Sequence, residues 1–219
     1  MTHDPHSMHR YDWYQYYSEK RIVHQWFQVK LLEKLPVRRI LEIGPALGVP
    51  TALLATAGFE VTTLDFEDRK LIGGAAHIVA DLKTVETHQL SGHDCILCCE
   101  VLEHFSFETS CGILKAFAQS GTPYLVMSVP YQALQFWFSL YINRYTARKK
   151  TAFQFRNAWR HFRKQPPGGH QWEVGYRGLS LSRLEHAVEE NGWRIMDRQF
   201  TAGTRSVFIV ATNVAITPS

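Results

Sequence analysis

The chain has 219 residues, of which 45% are apolar and 20% charged, and a formal net charge of +4 at neutral pH. That length supports one domain with a substantial core, and that composition excludes a disordered or low-complexity chain. No stretch approaches the ~20 consecutive apolar residues of a membrane span, and the opening MTHDPHSMHRYDW has no apolar segment of a secretory signal.

The positive charge is local. Eight Lys/Arg and no Asp or Glu lie between Tyr131 and His170, so the rest of the chain carries a formal −4. Cys95, Cys98, Cys99 and Cys111 lie close together, three of them in one apolar run. No second ligand group follows at metal spacing, so they read as buried free thiols in a reducing cytoplasm.

In chain order, residues 1–10 are polar and His-bearing and read as loose. Tyr11 to Leu35 has helical periodicity, with Ile22, Trp26, Val29 and Leu32 expected on the core face. Pro36 ends that helix. Tyr11, Trp13, Tyr14, Tyr16 and Tyr17 in its first turns read either as packing on a sheet or as a lid.

Ile40, Leu41 and Ile43 then form an apolar run of strand length. It leads into Gly44-Pro45-Ala46-Leu47-Gly48, and a helical pattern follows from Thr51 to Ala57. Strand, glycine turn and helix make the first half of a βαβ unit, whose turn lies where such sheets bind nucleotides. Gly58 closes the helix, and Val61 to Asp65 is the next strand, with a carboxylate at its tip. That carboxylate, about 20 residues past the first glycine, is placed to accept from ribose hydroxyls.

Further strands are expected at Ala75–Asp81, Asp94–Cys99 and Tyr124–Val129, with a helix from Phe107 to Ser120. Ser182-x-x-Glu185 reads as a capping box opening a helix that Asn191-Gly192 closes. Trp193–Phe200 and Ser206–Thr212 are expected as a closing strand pair.

The turn is G-x-x-x-G, not the G-x-G-x-x-G of dinucleotide enzymes, and Glu42 stands two residues before it. With Ala80-Asp81-Leu82 and Cys99-Glu100-Val101-Leu102-Glu103-His104-Phe105 downstream, the chain resembles the class I S-adenosylmethionine-dependent methyltransferases. Ala46 stands where that family usually has its middle glycine. The resemblance covers roughly residues 38–130, and the last forty in outline. It implies an α/β, Rossmann-like fold: a seven-stranded, mostly parallel sheet with an antiparallel last strand. It also implies S-adenosylmethionine as cofactor and S-adenosylhomocysteine as product. Glu42, Gly44, Ala46 and Gly48 would surround the methionine and ribose portions, Asp65 and Phe66 the ribose, and Asp81 and Leu82 the adenine. Glu100 would lie beside the transferred methyl group.

Two readings of Glu100-x-x-Glu103-His104 stay open. The set lines the cofactor pocket, or, as in some O-methyltransferases, it holds a divalent metal with a downstream ligand such as His170. No metal is expected. His170, with Glu173 to orient it, and His104 are rival candidates for a general base.

Between Tyr131 and His170 lie ten of the chain's 28 aromatics. Phe155, Trp159 and Phe162, beside Arg156, Arg160, Arg163 and Lys164, suggest one amphipathic helix. It would cap the core, contact a membrane surface or meet RNA.

The layout read from the sequence is a single domain, residues 1–219. Its parts are a helical lid (1–36), a cofactor core (38–130), a basic-aromatic helical insertion (131–170) and a closing helix and strand pair (171–219). The expected function is cytoplasmic methyl transfer to an oxygen or nitrogen of a small molecule, with peripheral membrane contact open and nucleic acid not expected. The alternatives are a non-catalytic binding protein of the same fold, or a methyltransferase acting on RNA or lipid.

Overall fold

The computed structural model describes residues 10–68, 76–154, 157–166, 168–201 and 206–216. β1 (Arg39–Ile43), β2 (Glu60–Asp65), β3 (Ala76–Val79), β4 (Cys95–Cys99) and β5 (Tyr124–Pro130) run parallel. β6 (Gln135–Ile142) and β7 (Ala147–Gln154) form a separate two-stranded sheet with each other among the described residues. β8 (Trp193–Thr201) and β9 (Ser206–Asn213) then complete a seven-stranded sheet, ordered β3-β2-β1-β4-β5-β9-β8. The last strand, β9, is antiparallel to β5 and β8, as the sequence reading expects.

The helices are α1 (Arg10–Tyr16), α2 (Glu19–Leu32), α3 (Val49–Thr56), α4 (Thr87–Leu90), α5 (Phe107–Gln119) and α6 (Leu181–Glu190). The central strands are apolar on both faces because both are covered. Ile40, Leu97 and Val126 pack with Leu32 and Leu54 on one side. Leu41, Ile96 and Leu125 pack with Phe117, Trp172 and Trp193 on the other. Strand order reverses between β1 and β4, which opens a crevice at their carboxyl ends.

Four expectations are corrected. The N-terminal helix is two helices, broken at Tyr17 and Ser18. The Ser18 hydroxyl accepts from the Arg21 N–H at 3.4 Å and starts α2. The buried face of α2 is His24, Gln25, Gln28 and Leu32, whereas Ile22 and Trp26 are exposed. Leu32 in the last turn of α2 packs in the apolar core, while its earlier turns lie over the crevice, so polar residues face inward. The cap of α6 is Ser180, not Ser182: its hydroxyl accepts from the Arg183 N–H at 3.2 Å.

The fourth correction is the insertion, which is a β-ribbon and not a helix. Aromatic and β-branched or aliphatic residues run through β6, favouring extended backbone. The Asn143 side chain accepts from the N–H groups of Tyr145 and Thr146 at 2.8 and 2.9 Å, building the turn. Phe155 and Arg156 lie outside the described residues, and Asn157–Trp159 is a single 3₁₀ turn. Cys95 and Cys98 are buried and Cys99 and Cys111 half-buried, all four as free thiols.

Asp94 ties the start of β4 to β1. Its carboxylate accepts from the N–H groups of Arg38 and Arg39 at 2.9 and 2.8 Å, and from the Arg39 guanidinium at 2.7 Å. Partial burial alone would raise this carboxyl; the Arg39 and backbone donors outweigh it and bring it down to about 2. A depressed carboxyl stabilises the fold above its unfolded value, near 4, and loses that contribution as pH falls towards 2. Asp94→Asn should therefore be less stable than wild type at pH 7, with a shallower loss between pH 4 and 2 in denaturant titrations.

Candidate active site

The crevice at the carboxyl edge holds a cavity of about 950 Å³, at the upper end of small-molecule sites. Of the nine cofactor residues read from the sequence, Glu42, Gly44, Ala46, Asp65, Phe66, Asp81, Leu82 and Glu100 all line it. Gly48 does not; it caps α3 in a left-handed conformation, φ +79°. His104 and His170 also line the cavity, while Glu173 stands behind His170.

The glycine turn leaves β1 through alternating left-handed residues. Gly44 has φ +67°, and its N–H donates to the Leu64 carbonyl at 2.9 Å, tying the turn to β2. A side chain there would carry both the left-handed penalty and a Cβ 2.8 Å from Val101 Cγ2. Ala46 takes φ +50° despite its methyl group. The substitution for glycine is accommodated at a cost of about 1–2 kcal/mol of backbone strain.

The carboxylates stand at successive strand tips. Glu42 is buried and accepts a side-chain bond from Thr51 Oγ1 at 2.6 Å. Asp65 is buried and accepts from the Glu67 N–H at 3.1 Å. Asp81, exposed, accepts from the Lys83 N–H at 2.9 Å, with Leu82 buried beside it. Glu100, just past β4, is held at φ +56°, an uncommon conformation for a residue with a side chain. Its carboxylate accepts from Ser128 Oγ at 2.8 Å and lies 3.6 Å from His24 Nε2.

A second group gathers at the cavity wall. The His104 and His170 rings meet edge to face at 5.0 Å. The His104 Nδ1 hydrogen bonds to the Gly168 carbonyl at 2.8 Å, and His170 Nδ1 to Glu173 Oε1 at 2.8 Å. The Glu173 bond raises the basicity of His170 against partial burial, whereas burial lowers that of His104. Glu103 is fully buried, and neither carboxylate oxygen has a hydrogen-bond partner. Its Oε1 lies 3.9 Å from His170 Nε2. Burial first, then the neighbouring Glu100, pushes its carboxyl well above the usual range.

Sequence reasoning missed His24, Gln25 and Gln28, which α2 presents to the cavity. Gln28 Nε2 bonds His24 Nδ1 at 3.3 Å, which leaves the Nε2 proton for Glu100. The signal was present: three polar residues at i, i+1 and i+4 on one helix face. The competing apolar positions on the other face masked it.

No protein-family model matches the chain, and no curated protein matches it. Solved structures do. NodS, an N-methyltransferase from Bradyrhizobium japonicum WM9 solved with S-adenosyl-L-homocysteine, aligns at a TM-score of 0.61 and 15% identity, over 94% of this chain and 93% of that one. Magnesium protoporphyrin IX methyltransferase from Synechocystis PCC 6803, with bound SAH, gives 0.59 and 16%, over 89% and 84%. The 1,6-didemethyltoxoflavin-N1-methyltransferase of Burkholderia thailandensis gives 0.56 and 15%, over 93% and 86%. The chain therefore has the Rossmann-like fold of the class I methyltransferases.

Burial pushes the Glu42 carboxyl up to about 7, against the opposing Thr51 bond. A raised carboxyl contributes stability fully below its unfolded value, near 4.5, and loses it as pH rises through about 7. The expected loss is roughly 3 kcal/mol. Melting curves at pH 5 and pH 8 should separate in wild type and draw together in Glu42→Gln.

Proposed function

We propose that this protein transfers a methyl group from S-adenosylmethionine to an oxygen or nitrogen of a small molecule. The observation that carries the reading is the convergence of the strand-tip carboxylates and the left-handed turn on one nucleotide-sized cavity. Their chemistry fits the cofactor. Carboxylates accept from ribose hydroxyls and from an adenine amino group, and apolar Leu82 suits the adenine face. Gly44 admits close backbone approach. Asp65 and Phe66 would hold the ribose, Asp81 and Leu82 the adenine, and Glu42, Gly44 and Ala46 the methionine end. The solved structures of the same fold that carry SAH support the assignment.

The cofactor, when bound, supplies a sulfonium methyl group for in-line displacement. This chain's residues have three tasks. Glu100 would place negative charge on the cavity wall, which would favour a bound sulfonium electrostatically. α2 closes over the cavity through His24, Gln25 and Gln28 and orients the acceptor. His170, its Nδ1 proton held by Glu173, presents Nε2 to take the proton that an acceptor hydroxyl or amine loses. His104 is the rival base. Free thiols and the cytoplasmic setting expected from the sequence are consistent with this role.

Calorimetric titration with S-adenosylmethionine, S-adenosylhomocysteine, NAD(H) and NADP(H) tests the cofactor. The two sulfur nucleotides should bind selectively, and Asp65→Ala should weaken them tenfold or more. Binding of the nicotinamide nucleotides instead would overturn the reading. With an acceptor in hand, His170→Ala should lower kcat by about 10²–10⁴ and leave cofactor affinity intact.

A second reading is favoured by one observation, the unpartnered Glu103. Glu103, His104 and His170 each offer a ligand atom, all within 4.8 Å of one another. Glu173 behind His170 is the kind of outer carboxylate that orients a metal-bound imidazole. In this reading a divalent cation replaces His170 as the group that activates the acceptor. Turnover abolished by a chelator and restored by Mg²⁺ or Zn²⁺ would establish it; turnover indifferent to chelation would leave the base.

A further inference from the structure

The ribbon β6–β7 turns a row of large apolar side chains outward. Alternate residues of a strand share a face, which puts Phe136, Phe138, Leu140 and Ile142 together. Their cross-strand partners Phe153, Thr151, Lys149 and Ala147 complete that face. Phe136 is 66% exposed, Leu140 55%, Ile142 66% and Phe153 57%. Contiguous apolar surface of this kind marks a site of contact with another molecule. A two-stranded ribbon is itself marginal in water, so an outer contact would also hold it.

Charge identifies the occupant. The ribbon and its turn carry Arg144, Arg148, Lys149 and Lys150 and no acidic residue. Lys149 edges the apolar face, while Arg148 and Lys150 point to the other. Arg144 lies 5.8 Å from the ring centroid of Tyr145, which is 87% exposed at the turn. Apolar side chains flanked by long cations and a tyrosine match a lipid interface, where the stems lie along the acyl boundary and the heads reach phosphates. A second copy of the ribbon would instead bring eight cations together without a counter-charge. An RNA strand would leave the aliphatic residues Leu140 and Ile142 unused.

We propose that the β6–β7 ribbon docks the protein on an anionic lipid surface, its apolar face in the interface and its cations on the headgroups. This role is independent of the methyl-transfer reading. Each Lys or Arg near an anionic leaflet strengthens binding about fivefold.

Flotation of the full chain with vesicles of phosphatidylglycerol and phosphatidylcholine in equal parts, against pure phosphatidylcholine, tests it. The expected result is binding to the mixed vesicles that weakens as salt rises and is far weaker on the neutral ones. The variant Lys149→Gln, at the edge of the apolar face, should weaken binding about fivefold. The double variant Phe138→Ser, Leu140→Ser should fall off the vesicles with its melting temperature unchanged, since both side chains face outward. Equal binding by wild type and both variants, or no binding to either vesicle, would overturn the proposal. So would a wild-type dimer in light scattering that the double variant splits, which would assign the face to a second copy. Preferential capture of a single-stranded RNA oligonucleotide over the mixed vesicles would overturn it as well.

Discussion

The structure depends on how it manages buried carboxyl groups around one crevice. Glu42 and Glu103 are buried there and Glu100 is half-buried, and burial raises the pKa of a carboxyl. They are not treated alike. Burial raises Glu42 to about 7 and Glu103 well above the usual range. For Glu100 the same burial is outweighed by His24, Ser128 and Ser206, so its carboxyl ends below the ordinary value. The carboxyl that ends low therefore sits between two that are raised, and its charge adds to the rise at Glu103. A concentrated negative charge in a low-dielectric crevice favours a cationic ligand, and a sulfonium is one.

That arrangement follows from topology. Right-handed crossovers return each strand of a parallel sheet in the same direction, so every strand-to-helix loop lies at one edge. The tips of β1, β2 and β4 bring Glu42, Asp65 and Glu100 to one place, although 58 positions separate the first from the last. α2 then covers the crevice with polar residues that would be misplaced over a dry core. The ribbon springs from the end of β5, beside this edge, where Tyr131 bridges to Val174 and carries the chain towards His170.

Much of this was legible in the residues. A strand, a turn with two glycines and a helix are local events, and the carboxylates at the strand tips follow by counting. Eight of the nine cofactor residues read from the chain do line one cavity. Gly48 does not, because the turn completes itself one residue short of the helix and Gly48 serves as its cap. The helix predicted across the basic insertion is absent among the described residues. Phe155, Trp159 and Phe162 have helical spacing, but Asn157–Trp159 makes a single 3₁₀ turn, and the apolar run of β6 with the Asn143 turn makes a hairpin before it.

The sequence by itself determined the parallel α/β core, because central strands buried on both faces must be continuously apolar and a glycine turn needs its left-handed residues. It also determined the closing antiparallel pair, whose strands lie only a short connection apart. Only the tertiary structure decided which face of α2 points inward, since that depends on whether core or crevice lies opposite. It alone brought His170 and Glu173 to Glu103 and His104, contacts that span more than sixty residues and leave no local periodicity. It alone left the apolar row of the ribbon exposed, because strand alternation defines the row and only packing decides whether anything covers it.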